Sequence, residues 1–163
     1  MRFLNQLINL FWTSLAFSVI IIHWYKNWNP LYFTSSIIIS FLIVFFPLHY
    51  FQLSSNRNFY ERLGVRIAGR LVQDGTLINR LRRHRNSAFR IIKKDNFVKL
   101  IRTSLINELY HLICFVFFIL TSIHAIITHY YLLAFLTIVS NVVYNLYPIM
   151  LQQYVRLRLA GLK

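Results

Sequence analysis

Four apolar stretches, at about residues 4–24, 31–51, 104–127 and 130–151, divide the chain, and a polar stretch, 52–103, separates the second from the third. Each approaches the roughly 20 residues that an α-helix needs to cross about 30 Å of hydrocarbon. The runs Val19-Ile20-Ile21-Ile22, Ile37-Ile38-Ile39 and Phe41 to Phe46 are apolar on every side. A helix of a soluble bundle would show a polar face at a period near 3.6 instead. The pattern therefore predicts an all-α integral membrane protein of about four transmembrane helices, forming a single domain over 1–163. Trp24, Tyr25 and Trp28 supply an aromatic belt where the first helix would meet headgroups. Pro30 suits the first turn of the second helix, and Pro47 would kink its far end. Only His129 and its neighbours part the last two stretches, which predicts a tight helical hairpin.

Composition agrees with an apolar solvent. Of the 163 residues, 57% are hydrophobic and 13% charged, with mean hydropathy +0.52, against roughly 45–50% and 25% in soluble domains. A secretory signal peptide is a poor account of the first stretch, because the apolar run is long, ends in Trp-Tyr and lacks a small-residue cleavage pattern. The single cysteine, Cys114, rules out an internal disulfide or a cysteine-based metal site within one chain.

Charge then sets the orientation. Of 18 Lys and Arg, 13 lie between Arg57 and Arg102; Arg2 precedes the first stretch, Arg156, Arg158 and Lys163 follow the last, and Lys26 alone falls in the first turn. Cationic segments stay on the cytoplasmic side. Both termini and the 52–103 loop are thus expected to be cytoplasmic, with Lys26 and His129 outside. Apolar residues at helical spacing in Asn58–Leu81 and Asn86–Ile106 read as amphipathic helices on the membrane surface, with a turn at Asp74-Gly75. The cations would hold anionic lipid, or some of Arg66, Arg70, Arg80, Arg82 and Arg83 would hold a phosphate-bearing substrate. A basic segment clamped between two spans gives no reason to expect nucleic acid as a partner.

The chemistry-bearing residues are those that sit poorly in hydrocarbon. Glu108 and His111, three apart, share a helical face near the start of the third stretch and form a candidate acid–base pair. The competing reading of Glu108 is an ion pair with a nearby Arg such as Arg102. Asn141, Asn145 and Gln152 share roughly one face of the fourth stretch, and the antiparallel hairpin would carry Asn145 and Gln152 to the depth of Glu108 and His111. They would bind substrate, or stitch helices by hydrogen bonds. His23, His49, His124 and His129 fall near the ends of their stretches, where a solvated or interfacial imidazole needs no further role. No metal set, cofactor motif, nucleophile elbow or Gly-rich phosphate loop is present in the sequence.

The segment Phe59-Tyr60-Glu61-Arg62-Leu63-Gly64-Val65-Arg66, then Asp74-Gly75, Glu108-Leu109-Tyr110-His111, and Asn145 with Gln152-Gln153-Tyr154-Val155-Arg156-Leu157-Arg158, resemble the glycosyl-4,4′-diaponeurosporenoate acyltransferases. These are small bacterial membrane proteins, and the resemblance runs from about residue 55 to the end. Two departures are Ala68-Gly69, where family members often carry Trp-Lys, and Gln73, where many carry Pro. The resemblance implies transfer of a fatty acyl group from an acyl-CoA or acyl-carrier protein to a hydroxyl of a glycosylated isoprenoid or other lipid, at the bacterial cytoplasmic membrane. His111, oriented by Glu108, would be general base; Asn145 or Tyr154 would donate to the oxyanion; Arg156 and Arg158 would hold the donor's phosphates or acidic surface. Arg66 and Asp74 join the expected substrate-binding set. The competing class is a non-enzymatic membrane scaffold or assembly subunit.

Overall fold

A computed structural model of the chain describes residues 2–67 and 94–160, all helix, turn or irregular with no strand among them. The helices are α1 (Arg2–Lys26), α2 (Pro30–Phe41), α3 (Arg57–Arg62), α4 (Lys94–Ile127), α5 (Tyr131–Asn141) and α6 (Tyr147–Ala160). Two helical stretches among the described residues are long and apolar enough to cross a membrane, Val98–Ile127 and Tyr131–Leu159.

The second predicted span is shorter than the pattern suggested. Asn29 caps α2 by accepting from the Tyr32 N–H, and Pro30 opens the first turn. The helix ends at Phe41 and tightens into two 3₁₀ turns, Leu42–Phe45 and Leu48–Phe51. Pro47 is the cause. Its ring excludes the carbonyl four residues back, and it forces its predecessor out of the helical region. Phe46 is accordingly extended, at φ −98° and ψ 135°. Ser36 and Ser40 are buried on the helix with hydroxyls bonded back to the Tyr32 and Ser36 carbonyls. Their small size lets α2 lie close along α4.

The expected surface helices also change. A continuous helix from Asn58 fails at Gly64, whose φ of +74° ends α3 in the left-handed region that glycine tolerates; helical backbone resumes at 65–67. Of the helix expected over Asn86–Ile106, the described part is continuous with the third apolar stretch. From Lys94 onward it runs through Ile127 as one 34-residue rod, since no Gly or Pro interrupts it. Asp74, the Asp74-Gly75 turn, Ala68-Gly69, Gln73 and the cations at 70–90 lie outside the described residues.

The predicted hairpin is present. Tyr130 N–H donates to the Ala125 carbonyl and His129 N–H to that of Ile126, with His129 left-handed at φ 63°. That is the double bond pattern of a helix ended by one left-handed residue. The return arm of the hairpin is helical from Tyr131 to Ala160 but carries a π-turn at Val142–Leu146.

Many large apolar side chains face outward, and several polar ones lie inside. Phe45, Leu31 and Leu132 are 81%, 79% and 70% exposed, while Glu108, Gln153, Asn145 and His23 are at 0%. His23 and His124, expected to be solvated or interfacial, are instead buried against each other, Nε2 to Nδ1 at 2.9 Å. Trp24 stacks on His124 with centroids 4.9 Å apart, and Tyr32 covers it. Periodicity along one helix has no means of showing a contact between α1 and α4.

Candidate active site

The site is built where α4 meets α6, closed by the 51–54 segment and α3. Glu108 is fully buried. Its Oε2 accepts from Arg156 Nη1 in an ion pair, and its Oε1 accepts from Gln153 Nε2 at 2.6 Å. A buried carboxylate is tolerable only when paired and hydrogen-bonded, and both conditions hold here. Arg156 also reaches Gln52 Oε1 at 3.4 Å.

Gln153 is the hub of this cluster. Its second amide hydrogen goes to the Phe51 carbonyl at 2.9 Å, while its oxygen accepts from the Leu53 N–H at 3.1 Å and the Tyr60 hydroxyl at 2.9 Å. One side chain thus ties Glu108 to the chain that follows Pro47 and to α3. Tyr60, itself buried, packs with Val65, Met150 and Tyr154 and accepts from the Ser54 N–H. Burial holds its phenol above the ordinary tyrosine range.

One turn further along α4, His111 Nδ1 stands 3.3 Å from Asn145 Oδ1. Asn145 Nδ2 donates to Asn141 Oδ1 at 2.8 Å, and Asn141 Nδ2 donates to the Phe115 carbonyl at 3.1 Å. Asn145 lies within the π-turn, a feature that recurs at functional sites. Pro148 follows it and, lacking an N–H, leaves a carbonyl of the preceding turn without its helical donor. The Tyr144 ring meets the imidazole edge-on at 5.6 Å, and its hydroxyl bonds Thr13 of α1 at 2.9 Å.

At the surface edge, Tyr154 donates to Glu61 Oε1 at 2.8 Å, Arg57 Nε donates to the same oxygen at 2.9 Å, and Arg66 stands 3.9 Å from Oε2. The Tyr154 hydroxyl, ahead of the two cations, holds the Glu61 carboxyl below its ordinary range. A depressed carboxyl pKa adds stability above the unfolded value that is lost as pH falls through the folded one, so α3 is held to α6 at neutral pH and released in acid. In Tyr154→Phe, the carboxyl ¹³C titration midpoint of Glu61 should rise toward the ordinary range; an unmoved midpoint would refute this contact.

A family model of glycosyl-4,4′-diaponeurosporenoate acyltransferases matches residues 44–162, which include every side chain of this cluster between Gln52 and Arg156. The chain belongs to this acyltransferase family. No curated protein and no solved structure matches it.

In this acyltransferase-family chain, the residues expected to share a site separate into three groups. Glu108 takes Gln153 and Arg156 as partners, whereas His111 takes Asn145 and, through it, Asn141. No hydrogen bond joins Glu108 to His111 among the described contacts. Tyr154 and Arg66 belong to the Glu61 cluster, and Arg158 is exposed. Arg156 is occupied by Glu108, with its side chain only 16% exposed.

Among the described contacts Gln152 takes part through its carbonyl, which accepts from the Ser104 hydroxyl. The buried neighbour is Gln153, for a geometric reason. In an uninterrupted α-helix residue 152 would share the face of Asn141 and Asn145. The π-turn inserts one residue, which turns everything after it by about 100° and brings residue 153 to that face. Gln52, Tyr60 and Glu61 are the other site residues that helical spacing did not single out; only the Tyr60-Glu61 family motif pointed near them.

Proposed function

We propose that the protein crosses the bacterial cytoplasmic membrane four times and transfers a fatty acyl group from a thioester donor to a hydroxyl of a glycosylated isoprenoid or other lipid. The observation that carries this reading is the family match over 44–162, combined with the buried polar cluster that the matched residues form. The outward Leu, Ile and Phe side chains support a lipid surround. The second crossing is short: Pro30–Phe45 spans about 26 Å as twelve α and four 3₁₀ residues, and the turn to Phe51 completes it. With the 52–103 cations and both termini cytoplasmic, the site lies at the cytoplasmic interface.

His111 is the general base in this reading. The acceptor oxygen attacks the thioester carbonyl carbon while His111 takes the hydroxyl proton; the C–S bond then breaks, and the thiolate leaves with the proton returned by the imidazolium. Glu108 works through its partners, anchoring Arg156 and, by way of Gln153, the wall formed by residues 51–54 and Tyr60. Tyr154 gives its hydroxyl hydrogen to Glu61 and Asn145 one of its two amide hydrogens to Asn141, and both act by shaping the site. The exposed cations Arg62 and Arg158, with Arg66 beside Glu61, attract an acyl-CoA or acyl-carrier protein.

Purified protein in lipid, incubated with labelled acyl-CoA or acyl-carrier protein and a bacterial lipid extract containing glycosylated carotenoid, should yield a labelled ester. No labelled product with either donor would overturn the reading in favour of a membrane scaffold.

A further inference from the structure

The three amides beside His111 form a chain whose polarity is fixed from one end. The Phe115 carbonyl can only accept, so Asn141 must present its NH₂ group to it. Asn141 Oδ1 then points at Asn145, which must answer with its own NH₂. Asn145 is left presenting Oδ1 to His111 Nδ1. Reversing any amide in the sequence would set oxygen against oxygen at one end. Both asparagines are almost fully buried, at 3% and 0% exposure, so water does not relieve such a clash.

We propose that Asn141 and Asn145 are positioning residues that fix the tautomer of His111, holding its proton on Nδ1 and leaving the Nε2 lone pair to accept a proton. The role usually given to a carboxylate behind a catalytic histidine falls here to a neutral relay that ends on a backbone carbonyl. A neutral relay suits a half-buried ring, because it orients the imidazole without placing another charge among the buried side chains behind it. It also frees Glu108 from orienting His111, in keeping with the engagement of both its oxygens elsewhere. The π-turn is the device that aims Asn145: it lies inside the turn, with Asn141 at its entry, so both side chains project toward α4.

The inference deepens the reading of His111 as base, and its test separates the two. Protein labelled with ¹⁵N-histidine in lipid, with His111 assigned by difference from His111→Gln, should show a protonated Nδ1 and an unprotonated Nε2. In Asn141→Leu the relay loses its anchor, and the ring should populate both tautomers; acyl transfer should fall about 10-fold or more in kcat with KM little changed. If that variant fails to fold, Asn145→Asp keeps an acceptor facing Nδ1 and should keep its proton there. A wild-type ring protonated at Nε2, an Asn141→Leu ring unchanged from wild type, or a proton moved to Nε2 in Asn145→Asp would each overturn the proposal. A proton on Nδ1 in a protein that transfers no acyl group would uphold the relay and overturn the acyltransferase reading instead.

Discussion

Glu108→Gln is expected to lower unfolding stability by about 3 kcal/mol, the lower end of what breaking a buried ion pair costs. The substitution keeps the shape of the side chain and its bond from Gln153. What it removes is the charge opposite Arg156. That guanidinium has little solvent to fall back on, since its side chain is 16% exposed and its one other described bond, to Gln52, is long. Partial exposure is the reason to expect the lower end of the range. In a chain of this size the loss corresponds to about 6–12 °C in Tm.

A second substitution tells charge from shape. Glu108→Gln combined with Arg156→Met removes both ions, and much of the lost stability should return, because a buried pair is often worth little against apolar groups of similar volume. Unfolding in detergent or lipid, followed by helical circular dichroism, measures all three proteins. A single variant within about 1 kcal/mol of wild type would sink the claim that this pair organises the site. So would a double variant no more stable than the single one.

The same pair shows what was legible in the sequence and what was not. Glu108 stood out because an ionisable residue at that depth is expensive. Arg102 was the cation in view along its own helix, yet a separation of six residues places the two on different faces. The actual partner, Arg156, is 48 residues on and comes into reach only through the α4–α5 hairpin. His23 and His124 teach the same point at the other end of the bundle, where each looked solvated or interfacial in its own segment. The apolar runs, Pro30 and the His129 turn were readable because their causes are local. Gln153 was hidden by a subtler effect: the periodicity was sound, but one extra residue in the π-turn moved the face by a position. The early end of α2 was foreshadowed by Pro47, though hydropathy alone carried the span on to residue 51.

His111→Ala should separate function from folding. The imidazole has one protein bond through Nδ1 and edge contacts with Tyr110 and Tyr144, and the ring is partly exposed. Its loss removes no charge pair and leaves Glu108, Gln153 and Arg156 joined. Stability should therefore change far less than in Glu108→Gln, while kcat for acyl transfer should fall by about 10²- to 10⁴-fold, the usual contribution of a positioned general base. The effect belongs to kcat, since the proton moves only in the transition state, and KM for the acyl donor should stay within a few-fold. Adding free imidazole to the His111→Ala protein should restore part of the rate by filling the space the ring left. Initial rates with labelled donor, measured beside unfolding curves for the same preparations, give both quantities. Transfer within a few-fold of wild type would remove His111 from the chemistry. A loss of activity matched by a loss of stability would recast it as one more member of the packing that Glu108 organises.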